Sequence, residues 1–316
     1  MAERMTTRRI FLGDVIGAAG AAVLSPALVR SAAAQSETLH VACNAYSWSV
    51  FYQRQGRNFD RSLDEGLAEV AASGLDGFEP SFADVAQVER LAPLQKKHGL
   101  EMRSFYVNST LHEADRADES IRQILAVAPI AKEAGARIVV TNPNPLAWGG
   151  AQDKNDEQLK VQAAALNRLG AELKKLGLTL AYHNHDMELR QAAREFHHMM
   201  LGTDPTNVTL CLDAHWVYRG AGNSQVALFD VVKLYGRRIS ELHLRQSQGG
   251  VWTEAFGPGD IDYLALADAL RQAGVRPHVV LEQAIETGSP NTMTPLEAFK
   301  ESTKATRHLF TGIGAA

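Results

Sequence analysis

The chain has 316 residues, 45 % hydrophobic and 22 % charged, which is ordinary for a globular protein and enough to bury one large α/β core. Its 32 basic and 36 acidic residues leave a formal charge of −4, so there is no positive field to gather nucleic acid. Only two cysteines occur, Cys43 and Cys211, each inside an apolar run, which excludes zinc-type cysteine spacing and reads as two buried free thiols.

Residues 1–34 read as a leader rather than as part of the fold. Thr7-Arg8-Arg9-Ile10-Phe11-Leu12 resembles the twin-arginine export motif. A weakly apolar stretch rich in Ala and Gly follows, and Ala32-Ala33-Ala34 offers small residues for cleavage before Gln35. Pro26 interrupts the apolar stretch, which is too short for a stable membrane anchor. The expectation is a signal peptide over 1–34, a mature domain over 35–316, the twin-arginine export machinery as a partner and a periplasmic location. Cleavage removes four basic residues (Arg4, Arg8, Arg9, Arg30) and two acidic ones (Glu3, Asp14), which makes the balance more acidic.

From residue 39 short apolar runs alternate with longer amphipathic ones. Strands are predicted over 39–44, 76–79, 101–107, 137–141, 178–183, 207–213, 239–244 and 277–282. Helices are predicted over 60–73, 83–98, 118–134, 155–176, 195–201, 224–235, 261–273 and 295–310, from apolar residues three and four apart. Gly74, Gly99, Gly135 and Gly177 stand where helices should stop. Eight βα units in about 280 residues predict a single (β/α)8 barrel rather than an open doubly wound sheet. No strand leads into a Gly-x-Gly-x-x-Gly or Gly-Lys-Thr/Ser turn, so a nucleotide cofactor is not indicated.

Four of the later strands end in polar side chains. Side chains alternate along a strand, so His183 and His185 share a face, as do Asp213 and His215, and His243 and Arg245. The run Val279-Val280-Leu281 ends in Glu282. Reactive groups in such barrels sit at the carboxyl ends of strands, so these residues are expected to converge on one cation.

The chain resembles the xylose-isomerase-like barrel superfamily of sugar isomerases, ketose 3-epimerases, inosose dehydratases and endonuclease IV. The resemblance is carried by Leu-Ala-Tyr-His-Asn-His at 180–185, Leu-Asp-Ala-His-Trp at 212–216, Leu-His-Leu-Arg at 242–245, Gly-Pro-Gly-Asp-Ile-Asp-Tyr at 257–263 and Leu-Glu-Gln at 281–283. It implies a divalent metal held by Asp213, His243 and Glu282, with His183 standing where the family places a glutamate. Two imidazoles and two carboxylates suit Mn²⁺, Fe²⁺, Co²⁺ or Zn²⁺ better than Mg²⁺. The resembled epimerases move a proton with two opposed glutamates, of which only Glu282 remains here. A metal-bound imidazole has already donated its lone pair, so one-faced isomerisation, dehydration or elimination is expected over symmetrical epimerisation.

Glu282 is therefore expected as the proton-transfer group, with His185 or Glu188 as the second. Glu79, Asn142, His215, Arg245, Trp48 and Trp216, together with Trp148, are expected to line a carbohydrate pocket, the aromatics stacking on sugar rings. The expected substrate is an unphosphorylated sugar, keto-sugar or cyclitol; oxidised glycosides with a keto group at carbon 3 are one such class. A non-catalytic carbohydrate-binding barrel is the alternative. A DNA-repair endonuclease on this fold needs further ligands where this chain has Glu79-Pro80-Ser81, Tyr106-Val107-Asn108 and Gln246-Ser247-Gln248, which do not supply them.

Overall fold

The computed structural model describes residues 39–313. The leader expected over 1–34 lies outside the described residues. Among the described residues no helix is long and apolar enough to cross a membrane.

Eight parallel strands form one nearly closed ring: β1 (Val41–Asn44), β2 (Gly77–Glu79), β3 (Ser104–Ser109), β4 (Ile138–Pro143), β5 (Thr179–His183), β6 (Val208–Asp213), β7 (Ile239–Leu244) and β8 (His278–Leu281). The ladder runs β2-β1-β8-β7-β6-β5-β4-β3. The remaining gap, between β2 and β3, is spanned by isolated bridges at Gly77 with Glu101 and Ser81 with Tyr106. Glycine is required at 77, because a Cβ there would lie 2.7 Å from the Glu101 carbonyl oxygen. The expected (β/α)8 barrel is the fold observed.

Outside the ring lie α2 (Leu63–Ala72), α3 (Val85–Lys97), α4 (Ala114–Glu133), α5 (Asp156–Lys175), α6 (Arg190–Gly202), α8 (Gln225–Tyr235), α9 (Tyr263–Ala273) and α10 (Pro295–Leu309), each within a few residues of its predicted span. Two helices went unpredicted. Helix α1 (Ala45–Arg54) is rich in aromatic and β-branched residues, which are weak helix formers. It is fixed by Asn44, whose side chain accepts from the Tyr46 amide, and by burial of Trp48, Phe51 and Tyr52. Helix α7 (Ala214–Gly220) is too short to show a period, and is capped by Asp213. A two-residue hairpin, Ser247–Gln248 with Val251–Trp252, follows β7. The Asp260 carboxylate accepts from Ser247 Oγ and the Gly249 and Gly250 amides within 2.8 Å, so the Gly257–Asp260 motif shapes this turn. Both cysteines are buried and free, as expected.

At the amino-terminal end of the strands, His40 and His278 place their rings 5.2 Å apart. None of their four ring nitrogens has a hydrogen-bond partner. Burial, reinforced by Arg103, pushes His40 down to about 4 against the raising effect of Asp76 and Glu101. Burial, and then His40 itself, pushes His278 down to about 3. Both are neutral in the folded chain, whereas the unfolded chain protonates them near pH 6.5. Stability from this pair is therefore complete above pH 6.5 and lost as the pH falls toward 4. Urea unfolding should show a midpoint that drops between pH 6.5 and 5, and His278→Leu should flatten that dependence; an unchanged slope would refute the assignment.

Candidate active site

The site is built by register. Asp213 on β6 pairs with His243 on β7, and Cys211 with Glu241, because the ladder shifts by one residue between Leu210 and Cys211. Without that irregularity Asp213 would stand beside Leu242, and its neighbour's imidazole would be one place out of line. On the other side His183 pairs with Cys211. The consequence is that His183, Asp213, His243 and Glu282, from four successive strands, each offer one donor atom within 4.8 Å of every other. All four are buried.

Their hydrogen bonding leaves donors to spare. Asp213 Oδ1 accepts the Trp216 amide at 2.8 Å, capping α7, while Oδ2 has no partner. His183 Nε2 lies 3.7 Å from that oxygen and 3.4 Å from Glu282 Oε2, and neither of its ring nitrogens makes a hydrogen bond. His243 Nδ1 sits 2.6 Å from Glu282 Oε2. Burial alone would raise the Glu282 carboxyl, but Arg245, His183 and His243 outweigh it and hold it well below the usual carboxylate range. Burial raises Asp213. Orphaned polar atoms this deep are costly, and a divalent cation at this point would satisfy them. Imidazole nitrogens and carboxylate oxygens are a competent mixed donor set, so the residues fit a metal.

Asn184 locks the two strands that carry His183 and Asp213. Its Oδ1 accepts the Asp213 amide at 3.1 Å and its Nδ2 donates to the Asp213 carbonyl at 3.2 Å. Arg245, fully buried, lies between Trp252 (4.1 Å) and Trp216 (5.0 Å). Its Nε donates to the Glu282 carbonyl and its Nη2 lies 2.9 Å from Glu282 Oε1, while Nη1 has no partner.

A cavity of about 440 Å³ opens over these groups, with Glu282, Arg245 and His185 at its floor. Trp216, Tyr106, Tyr46 and Trp148 form its walls, the last two well exposed. Burial, and then the neighbouring His183, push His185 well below the ordinary histidine range, so a neutral imidazole faces the cavity. Asn44, Tyr46, Tyr106, Asn108 and Arg190 also line it and were not singled out from sequence. Only the two-residue alternation of Tyr106 and Asn108 at the end of β3 could have flagged any of them.

Several expected pocket residues stand elsewhere. Trp48, expected at the mouth, is in the core, stacked on Phe299 with its Nε1 donating to Cys43 Sγ, because it lies on the inner face of α1. Glu79 is 1 % exposed and sits beneath the cluster, accepting from Asn44 Nδ2 and Ser104 Oγ at 2.6 Å each. Asn142 faces away from the cavity and donates to the His183 carbonyl and to Glu188 Oε1. Glu188 turns back behind β5, where its Oε2 accepts the His185 amide at 2.6 Å. Burial and Glu195 push Glu188 up to about 7, but its carboxyl does not line the cavity. His215 is fully buried among Trp216, Tyr218 and Trp252, behind the wall that Trp216 presents.

One rim of the cavity carries strain. Gln191, Ala192 and Ala193 adopt left-handed backbone angles, with φ of 53°, 58° and 57°. Arg190 just before them donates to the Gly150 carbonyl at 2.8 Å, and Arg194 just after donates to the Lys154 carbonyl. These bonds hold the loop bearing Trp148, whose ring meets His185 edge-on at 5.1 Å. A left-handed residue with a Cβ costs about 1–2 kcal/mol, partly offset in glycine by unfolded-state entropy. Ala193→Gly should therefore stabilise the fold by about 0.5–1 kcal/mol; a lowered melting temperature would argue against the left-handed turn.

The sequence pattern of the xylose isomerase-like TIM barrel matches residues 67–309. The chain belongs to that family. It is 26 % identical over 266 residues to an inosose dehydratase of Clostridium perfringens (strain 13 / Type A), covering 75 % of this chain and 86 % of the relative. Its fold matches the 3-keto-D-glucoside 4-epimerase of E. coli with a TM-score of 0.62 at 16 % identity, covering 85 % of this chain and 99 % of the other. It also matches a xylose isomerase-like barrel protein from Mycobacterium smegmatis in complex with magnesium, with a TM-score of 0.66 at 13 % identity, covering 88 % and 98 %.

Proposed function

We propose that the protein is a divalent-metal-dependent carbohydrate enzyme that transfers a proton at the carbon beside a carbonyl, on a keto-sugar, a keto-glycoside or a cyclitol ketone. The observation that carries this reading is the four-residue donor cluster with unsatisfied atoms at the floor of an aromatic-walled cavity. His183, Asp213, His243 and Glu282 would hold the metal. When bound, it supplies Lewis-acid polarisation of the substrate carbonyl and its neighbouring hydroxyl. Kinship with inosose dehydratases supports a cyclitol ketone, and likeness of fold to a keto-glucoside epimerase is compatible with a glycoside.

The chain's own groups divide the remaining work. Glu282, held ionised by Arg245 and lining the cavity, would take the proton from carbon. Arg245 Nη1, lacking a partner, is free to bind an oxygen on which negative charge develops. Once protonated, Glu282 can return that proton to carbon on the same face or deliver it to a departing hydroxyl, which then leaves as water. His185, a neutral imidazole facing the cavity, can donate a hydrogen bond to a substrate oxygen. Trp216, Trp148 and Tyr46 offer aromatic faces for the apolar side of a sugar ring. With His183 in place of a second carboxylate, the cluster offers one carboxylate base beside the cavity, which favours one-faced isomerisation or dehydration.

Metal analysis tests the site. The wild type should carry stoichiometric Mn²⁺, Fe²⁺, Co²⁺ or Zn²⁺, and Asp213→Asn, His243→Ala and Glu282→Gln should each lower the content at least about tenfold while circular dichroism is unchanged. Asp213→Asn keeps the acceptor that caps α7, so its metal loss is separable from loss of the cap. A wild type without metal, yet able to bind carbohydrate, would favour a non-catalytic barrel.

Solvent exchange tests the chemistry. In deuterated water, keto-sugar or inosose substrates should gain deuterium on a single face or lose water. Efficient two-way interconversion of epimers would overturn the one-faced mechanism, and His183→Glu should move the enzyme toward it with metal retained.

A further inference from the structure

Resting on the metal reading above, we propose that Glu241, braced by Glu79 beneath the barrel mouth, is a positioning residue that fixes the tautomer and tilt of His243 for cation binding. Glu241 precedes His243 by two residues on β7, so both point into the barrel, one above the other. Its Oε1 lies 2.9 Å from His243 Nε2, on the side of the ring away from the donor cluster. Glu79 Oε1 approaches the same nitrogen at 3.3 Å from β2. The opposite nitrogen, Nδ1, faces Glu282 Oε2 at 2.6 Å, within the group of donors.

A neutral imidazole has one N–H and one lone pair. If Nδ1 is to give its lone pair to a cation, Nε2 must keep the hydrogen, and a buried N–H needs an acceptor. Glu241 supplies that acceptor inside the barrel, where water cannot compete. Glu79 cannot swing away, because Asn44 Nδ2 and Ser104 Oγ each hold one of its oxygens at 2.6 Å. It therefore braces the lower side of the arrangement. A carboxylate behind a ligating histidine also raises the basicity of the ring, and losing such a partner typically costs 10–100-fold in metal affinity. The register irregularity in β6 and β7 serves both levels at once, aligning Asp213 with His243 and Cys211 with Glu241.

The test is the affinity of the purified protein for Zn²⁺, measured by competition with a chromophoric chelator, with the Co²⁺ absorption spectrum as a second readout. Glu241→Ala should weaken Zn²⁺ by roughly 10–100-fold and alter the Co²⁺ spectrum. Glu241→Gln keeps an acceptor oxygen and should recover much of the affinity. In the Zn²⁺-loaded wild type, nitrogen-15 shifts should show the His243 proton on Nε2. A role confined to packing would leave the Co²⁺ spectrum of the folded variants unchanged. Wild-type affinity and spectrum in Glu241→Ala, or a protonated Nδ1 in the loaded wild type, would overturn the proposal. If Glu241→Ala does not fold, Glu241→Gln and the wild-type tautomer decide. Failure of the metal reading itself would appear separately, as no Zn²⁺ or Co²⁺ uptake by the wild type, and would end the proposal with it.

Discussion

Burying two carboxylates and two imidazoles within reach of one another is expensive unless something satisfies the atoms left over. That requirement organises this protein. The ring of parallel strands supplies the rigid walls that hold His183, Asp213, His243 and Glu282 together against their desolvation. Asn184 fastens β5 to β6, Asp213 begins α7 while keeping one oxygen free, and Arg245 neutralises part of the charge on Glu282 from its slot between two indoles. Polar groups below the cluster continue the same logic into the barrel, so the site is a column rather than a surface cup.

The strand ends were legible in the sequence because parallel barrel strands announce themselves as short apolar runs, and a histidine or carboxylate closing such a run stands out. The same alternation puts His185 and Arg245 just past their strands, and both line the cavity. Trp48 and Glu79 were misplaced for a different reason. Each follows or ends a strand at the cavity side, but whether a side chain rises into the cavity or turns into the core depends on the helix that follows. Trp48 lies in α1, which its own composition did not reveal. Glu79 ends the shortest strand of the ring and points below the level of its neighbours. Glu188 shows a third limit: nothing local indicates that the chain doubles back after His185 and presents the carboxyl to a backbone amide.

Glu241 was hidden by its setting. In Ile239-Ser240-Glu241-Leu242-His243-Leu244 it occupies a core position of a central strand, where a charged residue has no reading without its partners. The register shift beside it is equally silent in sequence, since it depends on how two strands slide past each other.

The ring is not laddered equally all the way round. Seven of its eight seams are parallel ladders, the β6–β7 one carrying the register shift, whereas β2 and β3 meet through separate bridges at Gly77 and Ser81. Ser81, Tyr106 and Asn108, which flank that seam, all face the cavity, while the cluster donors stand on the fully laddered arc opposite. One wall of the pocket is thus built on laddered strands and the other on a seam tied by two separate bridges. A change of pocket shape made through Ser81, Tyr106 or Asn108 on the β2–β3 wall would leave untouched the register that brings His183, Asp213, His243 and Glu282 together.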